Sequence, residues 1–130
     1  MGSRAEAGNL DRVKSAWQAL ERDGHATGME ALFEHCHPDC EFRPAASGGK
    51  VLHGVEEARA FFRSQRDAGG DIKVSPYGFR ERGDCVEVRG WIRLIRRQAG
   101  MADSQGLWVY RFRDGQVVEA GYSPATAEAA

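Results

Sequence analysis

Four possible metal ligands lie close together in EHCHPDCEF, residues 34–42. They are His35, Cys36, His37 and Cys40. A structural zinc site usually takes two Cys/His pairs at recognisable spacing, and downstream only the isolated His53 and Cys85 follow. The segment also has the pattern of helix, turn and strand in succession, which sends the four side chains in different directions. We therefore expect no metal here, and we expect no organic cofactor in the protein.

Proton transfer or charge stabilisation would depend on other residues. His53 could titrate near neutral pH, but a His-Gly pair before a helix is more often a turn and cap element, and no carboxylate partner is visible by spacing. Arg43 could pair with a ligand carboxylate or phosphate, or it could be a partly exposed strand residue bonded to Glu41. The hydroxyls of Tyr110 and Tyr122 would need partners if buried, and they could orient a substrate or serve as weak acids. These residues are candidates, and the catalytic group stays unassigned.

Composition limits the class of protein. The chain has 130 residues and 42% hydrophobic content, which predicts one globular domain over 1–130 with flexible tails at about 1–8 and 125–130. A secretory signal and a membrane span are both missing from the sequence pattern, and three cysteines cannot all pair, so we expect a cytoplasmic protein. Eighteen basic and nineteen acidic residues create no net field, so we expect neither nucleic acid nor membrane as a partner.

Three helices are predicted before the main strands. Apolar residues at spacings of three and four predict helices over 9–23 and 54–69. Between them, Thr27 and Glu30 form a capping box. This box predicts a second helix, which would carry Cys36 on its apolar stripe.

After Asp71, apolar residues recur at every second position instead of every third or fourth. This alternation predicts an antiparallel meander. The predicted strands are 72–81, 85–97, 106–113 and 116–122, separated by the turn signals RGD, QAGMADSQ and Asp114-Gly115. Two shorter strands, in CEFRPA and KVLHG, precede the third helix. Alternation in the second long strand puts Val88 and Ile92 on a covered face and Trp91 and Arg93 on the opposite one.

Aromatic residues fall on faces that these patterns assign inward. They are Trp17, Phe61, Trp108, Tyr110 and Tyr122. Aromatics at such spacings more often fill a core than mark a ligand site. With Arg43, they are nevertheless the best candidates for the wall of a ligand-binding cavity.

Several segments together resemble the SnoaL-like branch of the nuclear-transport-factor-2-like superfamily, over roughly residues 9–124. They are VKSAWQALERDG, ALFEHCHPDCEFRP, HGVEEARAFF, RGDCVEVRG and YRFRDGQVVEAGY. The resemblance implies an α+β, cone-shaped, cystatin-like roll. In this fold, three N-terminal helices pack against a strongly curved mixed or antiparallel sheet around an internal pocket.

The superfamily includes ketosteroid isomerase, epoxide hydrolases of the limonene type, polyketide cyclases and members that only bind ligands or partners, so fold does not decide function. Ketosteroid isomerase uses an Asp base and an oxyanion hole of Tyr and protonated Asp. Alignment puts Arg43 at the base and Ala16 at the tyrosine, which argues against that activity because arginine cannot accept a proton. The alignment also turns Arg43 inward, whereas polarity favours Cys40 and Phe42 as the core pair. Which of the two side chains, Glu41 or Arg43, faces the interior is therefore open at this point.

Two functions fit these features. The first is a small-molecule-binding protein, with isomerase, cyclase or hydrolase chemistry conceivable, that takes a small, partly apolar, anionic or carbonyl-bearing substrate. The alternative is a non-catalytic dimeric module that senses a ligand or binds a partner protein. The outer sheet face, as in this superfamily, would form a homodimer. The residues predicted there are Arg89, Trp91, Arg93, Arg111 and Arg113. Stacking of single-stranded nucleic acid on this face is disfavoured by the near-zero net charge.

Overall fold

The structure is a computed structural model that describes residues 8–44, 50–96 and 100–124. Its helices are α1 Asn9–Asp23, α2 His25–Phe33 and α3 Val55–Asp67. Its strands are β1 Cys36–Arg43, β2 Leu52–His53, β3 Asp71–Arg82, β4 Cys85–Arg96, β5 Gly100–Arg113 and β6 Gln116–Pro124. The segments predicted as flexible tails lie outside the described residues, apart from Gly8, which precedes α1.

The strands form one mixed, open sheet in the order β2-β1-β6-β5-β4-β3. The four long strands pair antiparallel in sequence order, as the alternation predicted, while β1 lies parallel to β6. Register shifts occur in β1 between Cys36 and Glu41 and in β3 between Pro76 and Gly78. Such irregularities bend strands, so the sheet can curve around the helices. The predicted α+β class is confirmed.

One core lies between the helices and the inner face of the sheet. Its most completely buried large side chains include Trp17, Leu32, Leu52, Val86, Val88 and Val117. Fully burying an aliphatic side chain of this size stabilises a fold by roughly 1.5–3 kcal/mol. In β4, Val88 and Ile92 are buried and Trp91 and Arg93 are exposed, which confirms the predicted alternation.

Two glycines set the packing of α2 on α1. Gly24 has a φ of 89°, which an L side chain rarely adopts, and it reverses the chain between the two helices. A Cβ on Gly28 would overlap the backbone of Leu20, so the helices touch there without a side chain between them. This close approach carries His25 and Met29 into the space above the sheet.

The predicted start of the second helix is wrong. α2 begins at His25 with Gly24 as its N-cap and has no side-chain cap. The carboxylate of Glu30 instead accepts hydrogen bonds from Arg59 of α3. Because a strong partner is available across the helices, Glu30 does not reach back to a capping residue, and the pattern with Thr27 was misleading.

The predicted end of that helix is also wrong. α2 stops at Phe33, and Cys36 begins β1 instead of extending the helical stripe. The amide of Val117 in β6 donates to the carbonyl oxygen of His35, 2.8 Å away. This pairing with a distant strand competes with helix formation, and no local pattern reports it.

The turn predicted in QAGMADSQ is shorter than expected. β5 begins at Gly100, and Asp103 and Gln105 pair with β4 as strand residues, whereas positions 97–99 lie outside the described residues. Asp103 lies opposite Arg93 and bonds to it, which offsets the low strand propensity of aspartate. No helix in the described part of the chain is both long and apolar enough to cross a membrane.

Candidate ligand-binding site

A mostly apolar cavity lies between the helices and the inner face of the sheet. The lining residues with polar side-chain groups are Trp17, His25, Arg43, Tyr110 and Tyr122. The cavity has a volume of about 50 Å³. A water molecule needs roughly 10–15 Å³, whereas an apolar cavity that holds benzene has roughly 150 Å³. The cavity therefore has room for one end of a ligand, whose remainder would lie at the mouth.

A single hydrogen bond connects the two most deeply buried polar groups of the wall. The indole Nε1 of Trp17 donates to the hydroxyl oxygen of Tyr110 at 3.0 Å. The two residues are only 1% and 3% exposed. Burial raises the pKa of Tyr110 far above its ordinary value, and the hydrogen bond from Trp17 counteracts this only in part. The phenol is therefore neutral at physiological pH.

Aromatic rings hold Trp17 in place. The ring of Trp108 packs edge-on against it at a centroid distance of 4.8 Å, and Phe79 packs in the same manner at 6.4 Å. Tyr122 in turn packs against Trp108 at 5.1 Å. The direction of the indole N–H is thus fixed by packing on two sides, and the predicted aromatics Trp17, Trp108, Tyr110 and Tyr122 all line the cavity.

His25 is a wall residue that the sequence reasoning missed. It is the first residue of α2, and its ring lies 4.9 Å from that of Phe62. Burial lowers its pKa to about 4, against the opposing effect of the Asp71 carboxylate. A neutral imidazole at pH 7 offers one donor and one acceptor nitrogen. The predicted helix start at Thr27 had left His25 in a loop, so no pattern directed attention to it.

Arg43 lies at the mouth of the cavity. Cys40 and Phe42 are buried, whereas the side chain of Arg43 is 56% exposed, so polarity predicted the parity of β1 correctly and the alignment to ketosteroid isomerase did not. The guanidinium Nη2 of Arg43 lies 3.9 Å from Oε1 of Glu41. That long, exposed ion pair contributes little and leaves the guanidinium accessible to a ligand.

Two further predicted residues lie away from the cavity wall. Phe61 is half-buried and packs against Phe62, which faces the cavity in its place. One position along a helix turns a side chain by about 100°, and the apolar stripe could not distinguish these neighbours. His53 is exposed on β2, where its Nδ1 lies 3.8 Å from Glu41 and its amide donates to Glu57. The expectation that His53 has no carboxylate partner is therefore wrong, because Glu41 of the neighbouring strand lies beside it. The helix α3 begins after Gly54 with no side-chain cap.

The two cysteines of EHCHPDCEF lie together in the core, where their mutual interaction and burial raise the pKa of Cys36, so the predicted divergence of the four side chains is wrong for this pair. The histidines are only half-buried. Cys36 and Cys40 are buried, and the thiol of Cys36 donates to a backbone carbonyl. Nδ1 of His37 accepts a hydrogen bond from the amide of Asp39. Within residues 8–44, 50–96 and 100–124, no group of three or more His, Cys, Asp or Glu side chains has an arrangement suited to a metal ion.

The outer face of the sheet differs in character. Arg93 pairs with Asp103 at 2.7 Å and Arg111 with Glu119 at 2.9 Å, in both cases across neighbouring strands. Trp91 is 49% exposed between these ion pairs. The guanidiniums already have carboxylate partners, so this face offers less positive charge to a phosphate backbone than the sequence suggests.

A layer of helices over an open, bent sheet, with a cavity between them, defines an α+β roll. The profile of the SnoaL-like domain matches residues 8–120, so the chain belongs to the SnoaL-like domain family. No curated protein matches the chain.

Solved structures share this fold at low sequence identity. An NTF2-like protein of unknown function from Burkholderia pseudomallei is 23% identical, with 94% of each chain covered and a TM-score of 0.76. TerC, co-crystallised with polyporic acid, is 20% identical over 92% of this chain and 93% of its own, with a TM-score of 0.72. A candidate SnoaL-like polyketide cyclase from Mesorhizobium loti is 17% identical over 90% of this chain and 99% of its own, with a TM-score of 0.73. These similarities show the fold and leave the activity to be argued from the site.

Proposed function

We propose that the protein binds a small, partly apolar molecule in the cavity, with an acidic or other anionic oxygen of the ligand beside Arg43. The observation that carries this proposal is a neutral, mostly apolar wall with one guanidinium at its mouth. Burying a charge without a partner is costly, so a charged group of the ligand belongs at the mouth and its apolar part inside.

The guanidinium of Arg43 is open to an incoming anion. Its Nη2 lies 3.9 Å from Oε1 of Glu41, more than half of its side chain is exposed, and its charge also acts on Glu119. A ligand carboxylate could accept two parallel hydrogen bonds from the guanidinium, a geometry that the present ion pair lacks. Co-crystallisation of TerC with polyporic acid is in line with an acidic ligand for this fold.

Catalysis of an isomerase, cyclase or hydrolase type would need a group that moves a proton. Tyr110 cannot accept a proton at pH 7, because burial raises its pKa and the phenol stays protonated, and His53 lies away from the wall. His25 is neutral at pH 7 and lines the cavity, so it is the better-placed acceptor. In such a reaction Arg43 would stabilise developing negative charge.

The test compares an acid with its amide on the same ring. Binding of benzoate and benzamide is measured by NMR titration for the wild type, Arg43→Ala and Arg80→Ala, where Arg80 is an exposed arginine of β3. We expect the wild type and Arg80→Ala to prefer benzoate and Arg43→Ala to lose the preference. Equal binding of both probes by the wild type, or a preference that survives in Arg43→Ala, would refute the anionic-ligand proposal.

The second candidate function is a dimeric module that uses the outer sheet face. Trp91 and Tyr77 are the large hydrophobic side chains that stand out as exposed among the described residues. They lie near each other, because Tyr77 donates to Gln105, the residue that pairs with Trp91. Aromatic residues with arginines around them are typical of protein interfaces.

Light scattering tests this interface. We expect about twice the chain mass for the wild type and for Trp91→Phe, and the monomer mass for Trp91→Glu, because a carboxylate would be buried there without a partner. A dimer that persists in Trp91→Glu would exclude this surface.

A further inference from the structure

The hydroxyl group of Tyr110 has an unused hydrogen-bonding capacity. Its one hydrogen-bond partner among the described residues is Nε1 of Trp17, at 3.0 Å. An indole nitrogen can only donate, so the phenol oxygen is the acceptor in this bond. The proton of the phenol must therefore point elsewhere, and no protein acceptor for it lies within hydrogen-bonding distance in the described part of the chain.

That proton is costly to leave without a partner. Tyr110 is 3% exposed and lines the cavity, whose wall is mostly apolar. A buried donor without an acceptor destabilises a fold, because it has given up its hydrogen bond to water and gained none in return. The hydroxyl oxygen already accepts the indole N–H of Trp17, which phenylalanine would leave without a partner, so the oxygen has a role in the core. The hydroxyl proton has no such role there, and an acceptor inside the cavity would complete its hydrogen bonding.

The orientation of the donor is set by its surroundings. Trp17 is fixed by edge contacts with Trp108 and Phe79, and its indole occupies one side of the phenol oxygen. The phenol also keeps its proton, because burial disfavours the phenolate. The group is therefore a neutral, prearranged donor and not a base.

We propose that Tyr110 determines specificity by donating its hydroxyl proton to a carbonyl oxygen of the ligand, with Trp17 as the positioning residue. This inference rests on the proposed use of the cavity as a binding site, and it adds the chemical group that the inner end recognises. A carbonyl oxygen only accepts hydrogen bonds, so it matches a site where the tyrosine has a proton to give. The anionic oxygen beside Arg43 would belong to the outer end of the same ligand.

The test uses two probes of almost the same shape. Acetophenone carries a carbonyl group, and 2-phenylpropene replaces the carbonyl oxygen with a methylene group. We expect the wild type to bind acetophenone roughly 3- to 10-fold more tightly in an NMR titration, as one net hydrogen bond allows. Tyr110→Phe should bind both probes equally, while Tyr77→Phe, on the outer face, should keep the wild-type preference.

A spectroscopic measurement separates a hydrogen bond from a change of shape. We expect the carbonyl stretching band of bound acetophenone to lie at lower frequency in the wild type than in Tyr110→Phe, because donation from a hydroxyl weakens the carbonyl bond. Trp17→Phe keeps the tyrosine but removes the indole donor, so it should show a smaller shift and a smaller preference. This second variant also tests the proposal if Tyr110→Phe fails to fold.

The outcomes are distinguishable. If wild type and Tyr110→Phe bind both probes equally, the cavity is a binding site but Tyr110 does not recognise the carbonyl, and the inference is overturned. A preference that disappears in Tyr122→Phe instead would assign the donor to the other tyrosine of the wall and would also overturn it. If neither probe reaches the cavity of the wild type while benzoate does, this inference fails and the proposed function stands. If benzoate does not bind either, both fail.

Discussion

The two faces of the sheet hold polar groups in opposite ways. On the inner side, between the sheet and the helices, burial shifts His25 of α2 and Tyr110 of β5 toward their neutral forms. On the outer face, the pKa of Arg93 is raised and that of Asp103 lowered by the hydrogen bonds between them, so both stay charged. The same strands therefore present a neutral cavity suited to an apolar ligand on one side and a charged, water-facing surface suited to solubility or a partner on the other.

The largest difference should appear between two tryptophans. Trp17 is buried inside and Trp91 is half exposed outside, so the same substitution probes the two faces. We expect Trp17→Ala to lower the free energy of unfolding by about 3–5 kcal/mol. Trp91→Ala should change the stability of the dilute monomer by about 0.5 kcal/mol or less.

Urea denaturation measures both effects. The protein should be dilute, so that any dissociation of a dimer does not add to the loss for Trp91→Ala. Losses of equal size for the two variants would contradict the contrast between the faces.

The next effect is a pH dependence that comes from the inner face. The folded pKa of His25 is about 4, below its unfolded value of 6.5. Between these values the unfolded state binds a proton that the folded state does not. Stability therefore falls as the pH is lowered from about 6.5 to 4, by up to about 3 kcal/mol.

The variant His25→Phe isolates this contribution. Its free energy of unfolding should decrease less than that of the wild type over the same pH range. Some decrease should persist, because burial also lowers the pKa of His35. Identical pH profiles for wild type and His25→Phe would show that the imidazole is not held in its neutral form by the fold.

The smallest effect should come from the outer ion pairs. Arg93 and Asp103 are each about half exposed, and surface ion pairs contribute little to stability because water and salt screen them. Asp103→Asn keeps the shape of the side chain and should lower the free energy of unfolding far less than Trp17→Ala does, and less at high salt than at low salt. The check is urea unfolding at both salt concentrations, and a loss as large as that of Trp17→Ala, independent of salt, would count against the assignment of this pair to the surface.

The sequence predicted what depends on long, regular patterns. Alternation placed Val88 inside and Trp91 outside, and helical spacing found α1 and α3. It did not predict what distant partners decide, such as the loss of Cys36 from the helix to a strand beside β6. The predicted aromatics Trp17, Trp108, Tyr110 and Tyr122 line the cavity because they follow the same patterns, whereas Phe61 was named in place of its neighbour Phe62.

His25 and the Trp17–Tyr110 hydrogen bond were not predicted, for different reasons. His25 depends on where α2 starts, and helix ends are set by local packing at Gly24 and Gly28. The hydrogen bond joins residues 93 positions apart, and sequence patterns do not report which side chains meet across a core. The sequence thus predicts which face of its own helix or strand a residue occupies. Which side chains it meets on other elements is known only from the folded structure.

One measurement tests most directly whether the inner face binds the ligand. The chain has three tryptophans, so ¹⁵N-labelled protein should give three indole N–H signals, assigned with single Trp→Phe variants. On addition of acetophenone, we expect the signals of Trp17 and Trp108, which line the cavity, to move and that of Trp91 to stay. Movement of the Trp91 signal alone, or no movement of the signals from Trp17 and Trp108, would contradict the account.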